Sequence, residues 1–183
     1  MIKVRRTIES TVFDWGEVIA NEGCLLRSAI KARKNAYAPY SHYKVGAAIM
    51  TKRTDDREKV YTGCNVERCS YSQTTHAEQN AIDSFVAQRD SDDERLFAVA
   101  IAAAPENFDF IIPPETKILI GTVINIEDVG VPCGHCLQII WEHCGGNPDV
   151  KLISLSKNGL VFCTTIGNAF PMRFGPSDLN IKP

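Results

Sequence analysis

Two short segments of the chain carry side chains that could bind one metal ion together. The first is H-A-E, which begins at His76, and the second is C-G-H-C, which runs from Cys133 to Cys136. One imidazole and two thiolates suit zinc, which in catalytic sites usually takes three protein ligands and leaves a fourth position for water. Glu78 lies two residues beyond His76, where its carboxylate could reach that water without binding the metal. The spacing therefore predicts a catalytic zinc site in which Glu78 acts as general acid and base.

Spacing alone leaves two other uses of these residues open. A structural zinc site needs a fourth protein ligand, which His135 or His143 could supply. Neither histidine has a partner at the spacing of a zinc finger, and the sequence has no second C-x-x-C pair. A redox-active C-x-x-C would leave His76 and Glu78 without a role. The catalytic site is favoured because it accounts for all four side chains.

Both candidate segments lie where a helix is predicted to begin. Backbone N–H groups and the positive end of the helix dipole stabilise thiolates there, which favours Cys133 and Cys136 as ligands. A zinc ion with two thiolates and one neutral imidazole has a net charge of zero, so the centre needs no neighbouring cation. Gln79, which follows Glu78, is neutral and agrees with that balance.

The predicted elements alternate between helix and strand. Apolar residues at a helical spacing predict three helices, over 14–36, 76–86 and 133–144. Alternating or continuous apolar runs predict five strands, over 44–50, 59–63, 97–102, 150–155 and 160–164. This order predicts an α/β fold, a three-layer α/β/α sandwich around a mixed five-stranded sheet.

One stretch of the chain does not fit this alternation. Residues 104–131 are interrupted by three prolines and could form a short extra hairpin over 118–126. We interpret 104–131 as an insertion into a single domain that covers 1–183, with 14–36 as its N-terminal helical segment.

Composition limits the class of protein. The chain has 183 residues, of which 44% are hydrophobic and 23% charged, and its formal net charge is −2. Nucleic-acid-binding domains normally have a basic face, so this charge gives little support for a nucleic-acid partner. No apolar run reaches 18 residues, so neither a membrane span nor a membrane partner is predicted. The basic N-terminus is not followed by an apolar segment with a cleavage site, which argues against a signal peptide.

Cysteine usage points to a cellular compartment. The chain has seven cysteines, an odd number, and two of them are assigned to the metal. Free thiols together with a metal-binding pair fit a reducing environment better than an oxidising one. We therefore expect a cytoplasmic location.

Five sequence blocks, in this order, resemble those of the nucleoside cytidine deaminases. They are AYAPYSHYKVGAA at 36–48, TGCNVE at 62–67, HAEQN at 76–80, PCGHC at 132–136 and FGPSDL at 174–179. The third and fourth blocks form the zinc-deaminase signature, H-x-E followed by P-C-x-x-C. In this signature the glutamate is a general acid and base rather than a ligand. The resemblance covers about residues 25–180.

The resemblance implies a role for each residue of the zinc centre. His76, Cys133 and Cys136 would be the ligands of one zinc ion per chain, and Glu78 would transfer protons. Ala77, between the first ligand and the glutamate, would contact the substrate.

The resemblance also implies residues that bind a nucleoside. Asn65 and Glu67 would contact the ribose hydroxyls, and Tyr43 takes the position of an aromatic residue, usually Phe, that packs against the pyrimidine. From the sequence pattern alone, Asn65 and Glu67 would be interpreted as a polar turn after a strand, and Tyr43 as core packing. Phe174 occupies the position of an aromatic residue that enters a neighbouring subunit's pocket, so we expect a homotetramer or a homodimer.

Two branches of the family are mixed in this chain. His76 with Gln79 resembles the dimeric branch, whose chains carry a second, degenerate domain. The length instead fits the compact single-domain branch, which more often has Cys and Arg at these two positions. Leu137 stands where the family usually has Arg.

The activity implied by the resemblance is hydrolysis of cytidine and 2′-deoxycytidine to uridine and 2′-deoxyuridine, with release of ammonia, in pyrimidine salvage. A deaminase of a modified nucleoside or a nucleoside antibiotic would keep the zinc site but change the ribose block, and Asn65 and Glu67 argue against it. A nucleic-acid-editing deaminase would need a basic groove. A zinc protein without enzymatic activity would leave the placement of Glu78 unexplained.

Overall fold

A computed structural model of the chain describes residues 9–13, 15, 20–110 and 128–179. The strands in these ranges are β1 Thr11–Phe13, β2 Tyr43–Lys52, β3 Glu58–Cys64, β4 Arg95–Pro105, β5 Lys151–Leu155 and β6 Val161–Thr165. The helices in the same ranges are α1 Ala20–Arg33, α2 Ala77–Gln88, α3 Gly134–His143 and α4 Ile166–Ala169. None of these helices has both the length and the apolar character that a membrane crossing requires.

The strands form one sheet in the order β1-β6-β5-β4-β2-β3. Only β4 and β5 pair in parallel, and every other neighbouring pair is antiparallel, so the sheet is mixed. The sheet has six strands rather than the five predicted, because residues 11–13 pair with β6 at the edge. Three residues are too few for an alternating apolar pattern to identify a strand.

Alternation along the central strands divides the core into two layers. On β2 and β4, Ala47, Ile49, Val99 and Ile101 face α2 and α3. Their sequence neighbours, such as Ala48 and Ala100, point to the opposite face, which α1 covers with Leu25, Leu26 and Ala29. One helix therefore packs on one face of the sheet and two on the other, which confirms the three-layer α/β/α fold.

The predicted helical segment 14–36 and the predicted insertion 104–131 are only partly covered by the described residues. Helix α1 begins at Ala20 and ends at Arg33, within the predicted segment 14–36, of which residues 14 and 16–19 lie outside the described residues. Most of the segment predicted as an insertion, including the hairpin over 118–126, also lies outside them. The assignment of 104–131 as an insertion in a single domain stays a prediction.

A close approach at Gly63 places the helix that follows His76. A β-carbon at this position would lie 2.5 Å from the carbonyl oxygen of Ala77 and 2.4 Å from the backbone nitrogen of Ala81. Side chains do not tolerate such contacts with backbone atoms, so only glycine allows β3 to pack this closely on the first turn of α2. Asn80 reinforces the contact, because its side-chain amide donates a hydrogen bond to the carbonyl of Cys64 at 3.2 Å.

Candidate active site

The two segments of the predicted metal site meet at the starts of α2 and α3. His76 and Cys133 each precede their helix in extended backbone conformation. The His76 carbonyl accepts the first helical hydrogen bond, from Asn80, and the Cys133 carbonyl accepts one from Leu137. Cys136 lies in the first turn of α3. Two helix N-termini, with their unpaired N–H groups, therefore point at one place.

Three possible ligand atoms lie together there. The Cys133 and Cys136 sulfurs are 3.7 Å apart, and the Nδ1 atom of His76 lies 3.5 Å from the first and 3.3 Å from the second. Two thiolates bound to one tetrahedral zinc at about 2.3 Å would be separated by about 3.8 Å. Among the described residues, these are the ones grouped closely enough to hold a metal ion. The arrangement fits three protein ligands of a zinc ion.

Electrostatics support a cation at this position. Burial raises the pKa of the Cys136 thiol well above its usual range, and the negative charge of Glu78 raises it further. A buried thiolate next to a carboxylate is therefore unfavourable unless a positive charge compensates both. A divalent cation bound between the sulfurs and the imidazole provides that charge.

Glu78 lies in the first turn of α2, and only 5% of its surface is exposed. Burial raises the pKa of its carboxyl group, although its own backbone N–H and the Cys136 side chain oppose the shift. A carboxyl group in such surroundings takes up a proton more readily than one in water. Its position beside the three ligand atoms suits proton transfer, while the ligand set is complete without it.

A cleft of about 490 Å³ opens above these residues. It is lined by Ser41, Tyr43, Val45, Asn65, Glu67, Thr74, His76, Ala77, Glu78, Ile101, Ala103, Val129, Gly130, Val131 and Cys133. The ends of β2 and β4 form one wall, and the segment after β3 forms the polar side. Every predicted substrate-binding residue except Phe174 is part of this lining.

Asn65 connects the polar side of the cleft to β2. Its side-chain oxygen accepts a hydrogen bond from the Val45 N–H at 2.8 Å, and its amide nitrogen donates to the Tyr43 carbonyl at 2.9 Å. The family resemblance implies a contact between Asn65 and ribose, but neither it nor the sequence pattern revealed these hydrogen bonds to β2. One amide hydrogen and one oxygen lone pair of Asn65 remain for a ligand.

Glu67 is buried beside the loop that precedes β2. Its carboxylate accepts hydrogen bonds from the hydroxyl and the backbone N–H of Ser41 and from the N–H of Tyr40. Burial would raise the pKa of Glu67, but these donors outweigh it and lower the pKa below its usual range. Glu67 is therefore ionised and oriented before any substrate arrives.

Tyr43 and Ala77 differ in their exposure. Tyr43 is 39% exposed at the cleft mouth, whereas Ala77 is fully buried at its floor. The position of Tyr43 agrees with contact to a ligand better than with the core-packing alternative.

Phe174 lies outside the cleft of its own chain. Its side chain is 57% exposed, and its carbonyl accepts a hydrogen bond from the Gln138 side chain at 2.8 Å. The next residue, Gly175, packs against the Trp141 ring, and the Arg173 guanidinium stacks over that ring at 4.2 Å. The backbone near Phe174 is thus held against α3 while its ring projects outwards.

Sequence reasoning missed several residues of the cleft. Ser41 belongs to the block at 36–48 but was not predicted to line a site. The wall formed by Ile101, Ala103 and Val129 was not predicted to belong to a site either. Small and aliphatic residues in a strand look like ordinary core, so no signal in their types marks them. Leu137, at the position where an arginine is usual, packs against the apolar core between the sheet and α3.

Comparison with protein families and known proteins gives consistent results. The family model described as the cytidine and deoxycytidylate deaminase zinc-binding region matches residues 21–147. A cytidine deaminase from Sporosarcina psychrophila is 34% identical over 157 residues, which are 85% of this chain and 93% of the relative. A cytidine deaminase from Mycobacterium tuberculosis is 30% identical over 166 residues, 91% of this chain and 93% of the relative.

Solved structures show the same relationship. The crystal structure of cytidine deaminase from Burkholderia pseudomallei aligns with a TM-score of 0.59 and 32% identity, covering 82% of this chain and 97% of that one. Cytidine deaminase from Mycobacterium leprae aligns with a TM-score of 0.56 and 30% identity, covering 84% of this chain and all of that one. The shared fold and the matched zinc-binding region cover both segments of the metal site.

Proposed function

The chain belongs to the cytidine and deoxycytidylate deaminase family of zinc-binding hydrolases, and from this we propose that it hydrolyses cytidine and 2′-deoxycytidine to uridine and 2′-deoxyuridine. One observation carries the proposal. The grouped atoms of His76, Cys133 and Cys136 lie beside the buried carboxyl group of Glu78, at the floor of a cleft. That combination can activate water, move protons and hold a small substrate.

His76, Cys133 and Cys136 would hold one zinc ion per chain. Bound there, zinc supplies a Lewis acid that lowers the pKa of water from 15.7 toward about 7. The imidazole would bind the ion through Nδ1, since this atom faces both sulfurs. The two helix N-termini stabilise the thiolates and so hold the ligand set together.

Glu78 carries out both proton transfers. Its carboxylate accepts a proton from the attacking water and delivers it to the pyrimidine ring as the new C–O bond forms at the carbon that bears the amino group. It then takes the remaining proton from the newly added hydroxyl group and passes it to that amino group. The C–N bond breaks, the carbonyl of the product forms, and ammonia leaves. One carboxyl group can serve twice because burial raises its pKa and keeps bulk water away.

The nucleoside lies between the β2–β4 wall and the polar segment after β3. Tyr43, Val45 and Ala103 present apolar surface for the pyrimidine. Asn65 and Glu67 offer an amide hydrogen and an ionised carboxylate for the ribose hydroxyls. Their hydrogen bonds to the protein fix both groups in place, which reduces the entropy lost on binding.

We assign the reaction to pyrimidine salvage, since it converts one free nucleoside into another. The seven cysteines are all free thiols, which fits the reducing conditions of the cytoplasm.

We also propose a homo-oligomer, either a tetramer or a dimer, in which Phe174 enters a neighbouring site. The exposed ring of Phe174 and the 92% exposed side chain of Met172 support this. Apolar side chains on a segment whose backbone is held in place are suited to an interface.

A direct assay tests the proposal. Zinc-loaded protein is incubated separately with cytidine, 2′-deoxycytidine, cytosine and a cytosine-containing oligonucleotide, and ammonia is measured. We expect rapid release from the two nucleosides and slow release from the other two compounds. Release from the oligonucleotide alone, or none from cytidine, would overturn the assignment.

A further inference from the structure

Arg33 is a buried cation that the proposed reaction does not use. It is the last residue of α1, and only 5% of its surface is exposed. A basic residue near a helix C-terminus commonly remains at the surface, where it interacts with the helix dipole. The structure instead turns this side chain under the sheet, where α1 and β2 approach each other closely at Gly46.

The guanidinium of Arg33 connects two neighbouring strands at the cleft end of the sheet. Its Nε atom donates a hydrogen bond to the Lys44 carbonyl at 3.0 Å. Its Nη2 atom donates to the carbonyls of Ala104 at 3.0 Å and Pro105 at 2.5 Å. Lys44 and Ala104 are paired residues in the β2–β4 ladder. One rigid, planar group therefore holds both strands at the same register position.

The environment of Arg33 makes this arrangement costly to form. Burial lowers the pKa of its guanidinium, although the charge of Asp109 opposes the shift. The Phe110 ring covers the group at 5.4 Å. A desolvated cation that is compensated mainly by carbonyl oxygens adds little to stability compared with an apolar side chain. A role in the geometry of the site explains its presence better than a role in stability.

The residues next to these bonds line the cleft. Tyr43 and Val45 flank Lys44 on β2, and Ala103 precedes Ala104 on β4. We infer that Arg33 is a positioning residue for nucleoside binding, which sets the spacing of the β2–β4 wall against which the pyrimidine packs. The inference rests on the proposed function. The metal ligands and Glu78 lie at the N-terminal ends of α2 and α3, outside the β2–β4 pair that Arg33 connects, so Arg33 affects binding and not the proton transfers.

Arg53 provides a matched control at the other end of the same strand pair. It follows β2 directly, where Lys52 pairs with Arg95. Its guanidinium lies 3.5 Å from the carboxylate of Asp93. It shares the residue type of Arg33 and forms an ion pair with Asp93, in the segment just before β4, but it is remote from the cleft lining.

The test compares Arg33→Met, Arg33→Lys and Arg53→Met with the parent protein. Steady-state kinetics on cytidine are combined with hydrogen exchange of the backbone amides. We expect Arg33→Met to raise KM about tenfold or more while kcat changes less than about threefold, since the wall binds substrate and transition state alike. Arg33→Lys has a single ammonium group and should raise KM by less. Arg53→Met should leave KM unchanged.

Hydrogen exchange gives a result that does not depend on activity. Arg33→Met should speed exchange at 43–46 and 103–106, while Arg53→Met should leave exchange at these positions at the parent rate. The inference is overturned if Arg33→Met lowers kcat and leaves KM unchanged, or if Arg53→Met raises KM equally. It is also overturned if exchange at the cleft end stays at the parent rate.

If Arg33→Met does not fold, Arg33→Lys decides by the same criteria. A parent protein inactive on cytidine would refute the proposed function, and exchange would still test Arg33.

Discussion

The Ser41 hydroxyl donates a hydrogen bond to the Glu67 carboxylate at a distance of 2.5 Å. Ser41 belongs to the loop before β2, and Glu67 follows β3, so the bond connects two segments that border the cleft. The same Ser41 oxygen accepts a hydrogen bond from the Tyr43 N–H at 3.1 Å. Ser41 thereby links the orientation of Glu67, which we propose contacts the ribose, to the start of β2, where Tyr43 lies.

The lowered pKa of Glu67 predicts a pH-dependent contribution to stability. A carboxyl group whose folded-state pKa lies below its unfolded value stabilises the protein fully above about pH 4.3, and this contribution is lost as pH falls through the folded pKa. Glu67→Gln should therefore be less stable than the parent at pH 7. The difference in unfolding free energy should shrink below about pH 4, measured by denaturant titration. The exposed Glu142→Gln serves as control, and a gap for Glu67→Gln that stays constant down to pH 3 would contradict the prediction.

Asn65→Ala should weaken nucleoside turnover. Removing the amide leaves the Val45 N–H and the Tyr43 carbonyl without their partner and deletes the proposed ribose contact. We expect kcat/KM for cytidine to fall by the factor that corresponds to a loss of about 1–3 kcal/mol of transition-state stabilisation. Asn35→Ala, at an exposed position after α1, should have no effect. Cytosine lacks the ribose, so equal rates of the parent protein on cytosine and cytidine would contradict a ribose contact that contributes to turnover.

Glu78→Gln should separate catalysis from metal binding. The substitution keeps the size of the side chain and removes its ability to transfer protons. Turnover should fall by about 10²–10⁴-fold, the range typical of a general acid and base. Zinc content, measured by elemental analysis, should equal that of the parent. Loss of zinc along with activity would mean that Glu78 is a ligand.

Removal of a proposed ligand should affect both metal and fold. His76→Ala and Cys133→Ser should lose zinc and lower the thermal stability, because metal-binding free energy contributes to folding. Treating the parent with a chelator should reproduce the loss, and added zinc should reverse it. Cys24→Ser, which changes an exposed thiol on α1, is the control and should keep its zinc. A requirement for Cys24 would mean that the ligand set is wrong.

Phe174 can be tested by complementation between subunits. Glu78→Ala and Phe174→Ala should each have low activity alone, and coexpression with different affinity tags should restore part of it. Recovery follows if an intact Glu78 site on the Phe174→Ala chain receives Phe174 from its neighbour. Tagged mixed oligomers that are no more active than the sum of the two parents would exclude a shared site.

The sequence by itself determined those features that depend on local spacing. The H-x-E and C-x-x-C segments contain their candidate ligands within a few residues, and each sits at the start of a helix that its own apolar periodicity predicts. Apolar runs likewise predicted β2 and β4 as strands, although the structure was needed to show which of their side chains face each layer. Local patterns of this kind survive in any fold that buries the apolar positions, so the three-layer arrangement could be predicted from them.

Only the tertiary structure decided which distant groups meet. The sixth strand, β1, exists because three residues find an open edge at β6. Asn65 binds the backbone of β2, and Arg33 leaves the surface to join β2 and β4. Hydrogen-bond partners of this kind are set by strand register and by the close approach of α1 at Gly46. Residue types alone do not encode them, because a polar side chain satisfies its hydrogen bonds with whatever groups the packed chain brings within reach.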